Sequence, residues 1–237
     1  MSLLVRSADL GRLLSRTNPP PIPGYHPPDD DGRPCGVAVR PPGDAIAVEL
    51  IEGVNVRLIL APDGSYLIGD GKRWLHAAED LIANPSRGVV AAVRPLAERL
   101  PPRGEWRAVF GVVFGGKTPG AERYTSRRET GYRITDVATL TDDGLAFSNE
   151  NELQAFAEEA KLPLAPRVAR FPARDLPTRP DATRDFLEEL LPGSQCRLDA
   201  GADGDPAGVI LRTADRSWIA AVRFAEYATA KERKGRG

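Results

Sequence analysis

The residues able to do covalent or acid–base chemistry are few in this 237-residue chain. Nucleophilic amines come from five lysines, Lys72, Lys117, Lys161, Lys231 and Lys234, so 27 of the 32 basic residues are arginine. Cys35 and Cys196 lie far apart with no CxxC, and the histidines are His26 and His76. That set has the spacing of neither a zinc site nor a disulfide framework. Glu49, Glu52 and Asp70 can gather round a cation, although an acidic loop edge is the simpler reading. Lys117 follows Gly115-Gly116 as in a phosphate-binding loop, but it lacks the Walker spacing and the strand–loop–helix frame. Arg123, Arg127, Arg128 and Arg133 interleave with Tyr124 and Tyr132, a mixture that suits single-stranded RNA. Glu122 and Glu129 share that stretch, so a solvated loop competes with the RNA reading and is the simpler of the two.

A net charge of -1 and a pI near 6.2 argue against a protein that coats nucleic acid non-specifically, which needs excess cations to displace counterions. A local basic groove is still compatible with these values. Hydrophobic residues at 41% and charged residues at 27% describe an ordinary globular protein. No stretch approaches the ~20 apolar residues that span a bilayer. A soluble, cytoplasmic chain with two reduced thiols and no membrane partner is expected.

The elements that must carry these residues begin with a short helix within residues 1–16, passing through Leu10, Leu13 and Leu14. Residues 17–43 are rich in Pro, Gly and Asp and read as an arm or linker, with too little apolar surface to offset its own ordering. Residues 44–229 read as one domain, followed by a polar tail at 230–237. Strands are expected at 45–53, 55–60, 65–68, 106–116, 132–140, 207–213 and 217–224. Helical spacing appears at 77–82 and again at 89–100, broken by Pro85 and Pro95, and then at 149–161 and at 183–191. Strands at both ends of a helical middle predict an α+β fold with antiparallel sheets flanked by helices.

Several short motifs follow one another along this frame. Glu49-Leu50-Ile51-Glu52-Gly53-Val54-Asn55-Val56-Arg57 comes first, then Ile68-Gly69-Asp70-Gly71-Lys72-Arg73-Trp74-Leu75. Phe110-Gly111-Val112-Val113-Phe114-Gly115-Gly116 and Tyr132-Arg133-Ile134-Thr135-Asp136-Val137 come next. Ala207-Gly208-Val209-Ile210-Leu211-Arg212 and Ile219-Ala220-Ala221-Val222-Arg223-Phe224, with Tyr227, close the series. Their order resembles that of the motifs of RNA ligases, a branch of the covalent nucleotidyltransferases, over residues 45 to 227.

The resemblance implies a cleft between antiparallel sheets and a two-step chemistry. In that family a lysine attacks the α-phosphate of ATP, carboxylates bind the metal, further lysines steady the phosphates, and the AMP passes to an RNA 5′-phosphate. Here the matching positions differ. Leu50 stands at the nucleophile, Glu52 at the motif's aspartate, and Asp70 and Gly71 at a serine and an arginine. Val112 and Ala207 replace glutamates, Thr135 replaces the base-stacking phenylalanine, and Ala221 replaces a lysine. The expectation is therefore a degenerate relative with no catalytic residues and no metal or cofactor, acting by binding RNA with modest affinity or a protein partner. Asn55, Arg57, Lys72, Arg73, Arg127, Arg128, Arg212 and Arg223 are the candidates for residual cleft or RNA contacts. Arg57, Arg212 and Arg223 can hold a phosphate or pair with Glu49, Glu52 and Asp215. The alternatives are an active ATP- and Mg-dependent ligase rebuilt around Lys72, or a structural subunit that reuses the fold.

Overall fold

The computed structural model describes residues 7–77, 80–81 and 88–228; the tail expected at 230–237 lies outside them. Two compact units emerge. One comprises Met1–Pro20, Glu52–Leu164 and Leu198–Ala202; the other comprises Pro21–Ile51, Ala165–Arg197 and Asp203–Gly237.

The first unit is built on a seven-stranded antiparallel sheet. Its strands are β2 (Val54–Leu60), β3 (Tyr66–Asp70), β4 (Trp74–Ala77), β5 (Asp80–Leu81), β6 (Arg107–Gly115), β7 (Thr130–Thr141) and β8 (Gly144–Phe147), in the order β5-β4-β3-β2-β6-β7-β8. Alternation assigns Val56, Leu58, Leu60, Val109 and Val113 to one face, where α2 (Val89–Arg99) and α3 (Glu150–Glu159) cover them. The other face carries Ile59, Leu67, Trp74, Ala108 and Phe110, against Leu13 and Leu14 of α1 (Ser7–Arg16). Asn149 and Glu152 form a reciprocal capping box that starts α3.

Two local expectations fail here. Of the stretch with helical spacing at 77–82, Ala77, Asp80 and Leu81 belong to strands, His76 and Ala77 pairing antiparallel with Leu81 and Asp80, while residues 78, 79 and 82 lie outside the described residues. Pro95 does not break its helix. The missing N–H costs about 3 kcal/mol, and α2 offsets it by burying Val89, Val90, Val93, Leu96 and Ala97 at roughly 1.5–3 kcal/mol for each large side chain.

The second unit carries a four-stranded antiparallel sheet of β1 (Ala45–Leu50), β9 (Arg167–Phe171), β10 (Gly208–Thr213) and β11 (Ile219–Arg223), ordered β11-β10-β1-β9. Ala45, Ala47, Val209, Leu211, Ala220 and Val222 point into a core shared with Leu187 of α4 (Pro180–Leu190) and with Leu191. The single-turn α5 (Phe224–Tyr227) follows β11 directly. The Pro-rich stretch packs on this unit. Tyr25, His26 and Ala38 are buried, and Gly24 makes a parallel bridge to Ala221 of β11. A few well-placed aromatic side chains and backbone bonds order it where its average composition predicted a loose arm.

Candidate functional site

The ladder of the four-stranded sheet sorts its residues into rows. Ile46 stands between Arg170 and Arg212, with Ile219 beyond Arg212. Val48 stands between Arg167 and Ile210, with Ala221 beyond, and Leu50 pairs with Gly208, which pairs with Arg223. Paired residues share a face, so Leu50, Ala221, Arg167, Arg170, Arg212 and Arg223 all belong to the face opposite the core. A bulge between Ala47 and Val48 brings Arg167 into that set. None of the strand residues on this face is a lysine or a carboxylate.

Glu49, next to Leu50, necessarily points the other way. It is 2% exposed, and its carboxylate accepts the Ser194 hydroxyl at 2.5 Å and the Gln195 N–H at 2.9 Å. Its carboxylate is thus committed to donors on the core face of its own unit. Ala207 lies just before β10, its carbonyl accepting the Phe224 N–H at 3.1 Å. Ala221 is fully buried. Arg212 is also buried, and Arg223 pairs with Glu226 at 2.8 Å. A bond from the Thr213 side chain, then the Ser217 N–H and hydroxyl, hold the Asp215 carboxyl below the usual range.

In the seven-stranded unit, Val112 pairs with Asn55 on one side and Arg133 on the other. Asn55 is exposed and Val112 is buried. Thr135, in the slot of the stacking phenylalanine, lies at a β-bulge where the register of β6 and β7 shifts. Gly53 is required sterically, because a Cβ there would run into the Val113 carbonyl.

Arg57 is not available at a rim. It is 2% exposed, and it donates to the Leu14 carbonyl at 3.0 Å, to the Thr17 hydroxyl at 3.4 Å and to the Asp70 carbonyl at 3.1 Å. Its guanidinium lies 4.8 Å from the centroid of Trp74. Burial lowers its pKa, with the Asp70 charge opposing. Asp70 builds the β3–β4 turn, accepting the N–H groups of Lys72 at 2.8 Å and Arg73 at 2.9 Å, and both of those side chains are exposed.

The arginine–aromatic cluster is largely absorbed into the fold. Tyr124 has no exposed surface; its ring packs edge-on against Phe114 and its hydroxyl accepts the Glu52 N–H at 2.7 Å. Arg123 pairs with Glu52 at 2.8 Å, Tyr132 packs against the core, and Arg133 lies over Phe114. Arg127 and Arg128 remain exposed. They are carried by a loop whose base is tied to Asp199, which accepts the Thr125 hydroxyl at 2.6 Å and the Ser126 hydroxyl at 2.7 Å. Those two hydroxyl bonds, then backbone N–H bonds, hold the Asp199 carboxyl far below the usual range.

Sequence reasoning missed Arg167 and Arg170 because it left β9 unrecognised. Two arginines in a five-residue strand obscure the period-2 signal. Among the described residues no group of His, Cys, Asp or Glu is arranged to hold a metal ion, and no helix is long and apolar enough to cross a membrane.

No family model matches the sequence, and no curated protein matches it. Solved structures do resemble it. An RNA ligase from Naegleria gruberi, a point mutant with ATP and Mn, superposes at a TM-score of 0.61 with 10% identity over 82% of this chain and 52% of that one. The fold is that of the nucleotidyltransferase domain of RNA ligases. The same Naegleria gruberi ligase with PPi gives 0.60 and 10% over 88% of this chain and 62% of that one. An archaeal ATP-dependent RNA ligase gives 0.50 and 15% over 78% and 44%. The chain thus spans about half the length of the first of these RNA ligases.

Proposed function

We propose that this chain is a non-catalytic protein of RNA-ligase fold that works by binding RNA along its phosphate backbone. The observation that carries the reading is the row Leu50–Gly208–Arg223 at the end of β1, β10 and β11. Leu50 stands there in the slot of a nucleophilic lysine, and an alkyl side chain has no lone pair with which to attack a phosphate. The strand residues of that face offer arginines alone, with no carboxylate to ligate a divalent cation. The donor set therefore does not fit a metal-bound nucleotide, and no catalytic step is assigned to one. Arginine forks do suit phosphodiester oxygens. Arg170 on β9 and Arg127 and Arg128 on their loop are exposed and are the residues assigned to RNA.

Two measurements on the whole chain test this. Intact mass after incubation with ATP and Mg²⁺ or Mn²⁺ should show no AMP adduct. An adduct that vanishes in Lys72→Ala establishes a rebuilt ligase instead. Titration of 5′-phosphorylated single-stranded RNA should show binding that weakens with salt by a log–log slope of roughly 0.7 per phosphate neutralised. Arg127→Ala/Arg128→Ala and Arg170→Ala should each reduce that slope. Absence of binding even at low salt ends the RNA reading in favour of a protein partner.

A further inference from the structure

The segment 21–43 closes on its own unit along two seams. At the edge of β11, the Ala221 N–H donates to the Pro23 carbonyl at 2.8 Å and the Tyr25 N–H donates to the Ala221 carbonyl at 2.9 Å. At residues 176–178 it meets a row of carbonyls. The Tyr25 hydroxyl donates to Pro177 at 2.7 Å, the Ala38 N–H to Thr178 at 2.9 Å, and the Arg40 guanidinium to Leu176 at 3.3 Å. His26 joins the two seams. Its Nε2 lies 3.0 Å from the Thr178 carbonyl and its Nδ1 lies 2.7 Å from the Tyr227 hydroxyl on α5. The residue is only 5% exposed, with the rings of Tyr25 and Tyr227 packed edge-on at 5.1 and 5.6 Å.

This geometry settles the tautomer. A carbonyl only accepts, so Nε2 must carry the hydrogen, and Nδ1 is left as the acceptor of the Tyr227 hydroxyl. We propose that His26 is a pH latch: a proton taken up at Nδ1 releases segment 21–43 from the edge of β11 and from residues 176–178. The proton turns Nδ1 from acceptor into donor, so the Tyr227 hydroxyl loses the partner for its own hydrogen. It also puts a cation into a site lined by aromatic rings.

The charged groups around the site do not compensate that cation. From the segment itself come Tyr25 and Arg40. From α5 come Tyr227 and Glu226, whose carboxylate holds Arg223 at 2.8 Å. Beside residues 176–178, Asp175 pairs with Arg174 at 3.6 Å and Arg179 with Asp181 at 3.3 Å. Among the described residues no carboxylate bonds to His26. Desolvation lowers the His26 pKa, the Thr178 bond partly opposing. A depressed histidine binds its proton more readily when released than when closed, so closure is complete above pH ~6.5 and weakens as the pH falls below it. The released state gains population as the pH falls below that point, by at most about tenfold per pH unit, for as long as the closed imidazole stays neutral.

Hydrogen exchange with mass spectrometry on the whole chain, corrected for the intrinsic rate at each pH, reads the opening directly. Between pH 7.5 and 5.5 the amides of Tyr25, Ala38 and Ala221 should lose protection, by up to about tenfold, while Leu211 in β10 keeps its own. His26→Gln should remove the pH dependence. Constant protection of the wild type across this range overturns the latch, and so does an undiminished pH dependence in His26→Gln. Should His26→Gln fail to close at all, the ring-proton titration of His26 by NMR, assigned with His76→Gln, decides. Its midpoint must lie below that of a free imidazole, with the loss of protection falling between the two, and a midpoint at or above the free value overturns the proposal.

Discussion

Ser194 donates its hydroxyl to the buried carboxylate of Glu49 across 2.5 Å, while its own oxygen accepts the Cys196 N–H at 3.0 Å. Together with the Gln195 N–H, this makes Glu49 the anchor of the segment after α4. It is a structural carboxylate on the core face of β1.

Glu49→Ala should therefore unfold early. It strands the buried Ser194 hydroxyl, at about 1–3 kcal/mol when left unpaired, and removes the acceptor of the Gln195 N–H at an exposed residue, so a loss of roughly 2–4 kcal/mol is expected in urea denaturation. Ser194→Ala should cost less, about 1.5–3 kcal/mol, the range for a hydrogen bond to a charged group. Wild-type stability in Glu49→Ala together with altered RNA affinity would return this residue to the functional surface.

Arg57 should behave as a core residue too. Arg57→Ala removes the bonds to Leu14, Thr17 and Asp70 and the contact with Trp74. Hydrogen bonds to a charged group are worth about 1.5–3 kcal/mol each, so a loss of roughly 3–5 kcal/mol is expected. Tryptic cleavage after Arg16 should accelerate as α1 loosens, with RNA affinity unchanged at temperatures where the protein stays folded. A variant of native stability that binds RNA weakly contradicts the assignment.

Asp199 governs the loop that presents Arg127 and Arg128. Its folded pKa is depressed by the Thr125 and Ser126 hydroxyls. A depressed carboxylate stabilises above its unfolded pKa, ~3.9, and the contribution is lost as the pH falls from there toward the folded value. Across neutral pH the tie should be constant, and below pH ~4 it should weaken. Asp199→Asn should raise amide exchange at Ser126 and Gly201 several-fold at neutral pH, since an amide is a weaker acceptor than a carboxylate. Equal exchange in the two proteins would show that the loop is held elsewhere.

Much of the fold was legible because its strands announce themselves. β6 is an unbroken run from Ala108 to Phe114, and β10 and β11 are short apolar stretches between turn residues. Strand β4, of which only Ala77 fell within the helical spacing at 77–82, went unrecognised because Trp74-Leu75-His76-Ala77 is buried on both faces and so shows no alternation. The position of Glu49 opposite Leu50 was available from strand parity alone. The fate of Tyr124 was not: its burial depends on Glu52 and on Leu198, whose N–H donates to the Tyr124 carbonyl at 2.7 Å across 74 residues of chain. An aromatic in a polar loop looks exposed until a distant segment covers it. The same holds for His26, which reads as part of a loose arm until Thr178 and Tyr227 are placed beside it.

Leu50→Lys gives the most direct check on the proposed non-catalytic reading. The substitution restores an amine at the end of β1, in the row of Gly208 and Arg223. An attacking lysine must first lose its proton, and it needs cations and a metal around the phosphates to stabilise the charge that develops. Val112, Ala207 and Ala221 stand at the positions that the motif resemblance assigns to carboxylates and a lysine, and Ala221 is fully buried with its backbone committed to Pro23 and Tyr25. The single change should thus yield no AMP adduct by intact mass with ATP and Mg²⁺ or Mn²⁺. It should also destabilise the fold by about 1–3 kcal/mol, since the half-buried Leu50 gives way to a charge. Adding Ala207→Glu and Ala221→Lys should move the protein toward nucleotide binding before it gains turnover, because the missing groups act together. An adduct in Leu50→Lys alone would mean that working phosphate and metal ligands survive elsewhere in the chain, and the non-catalytic reading would fall.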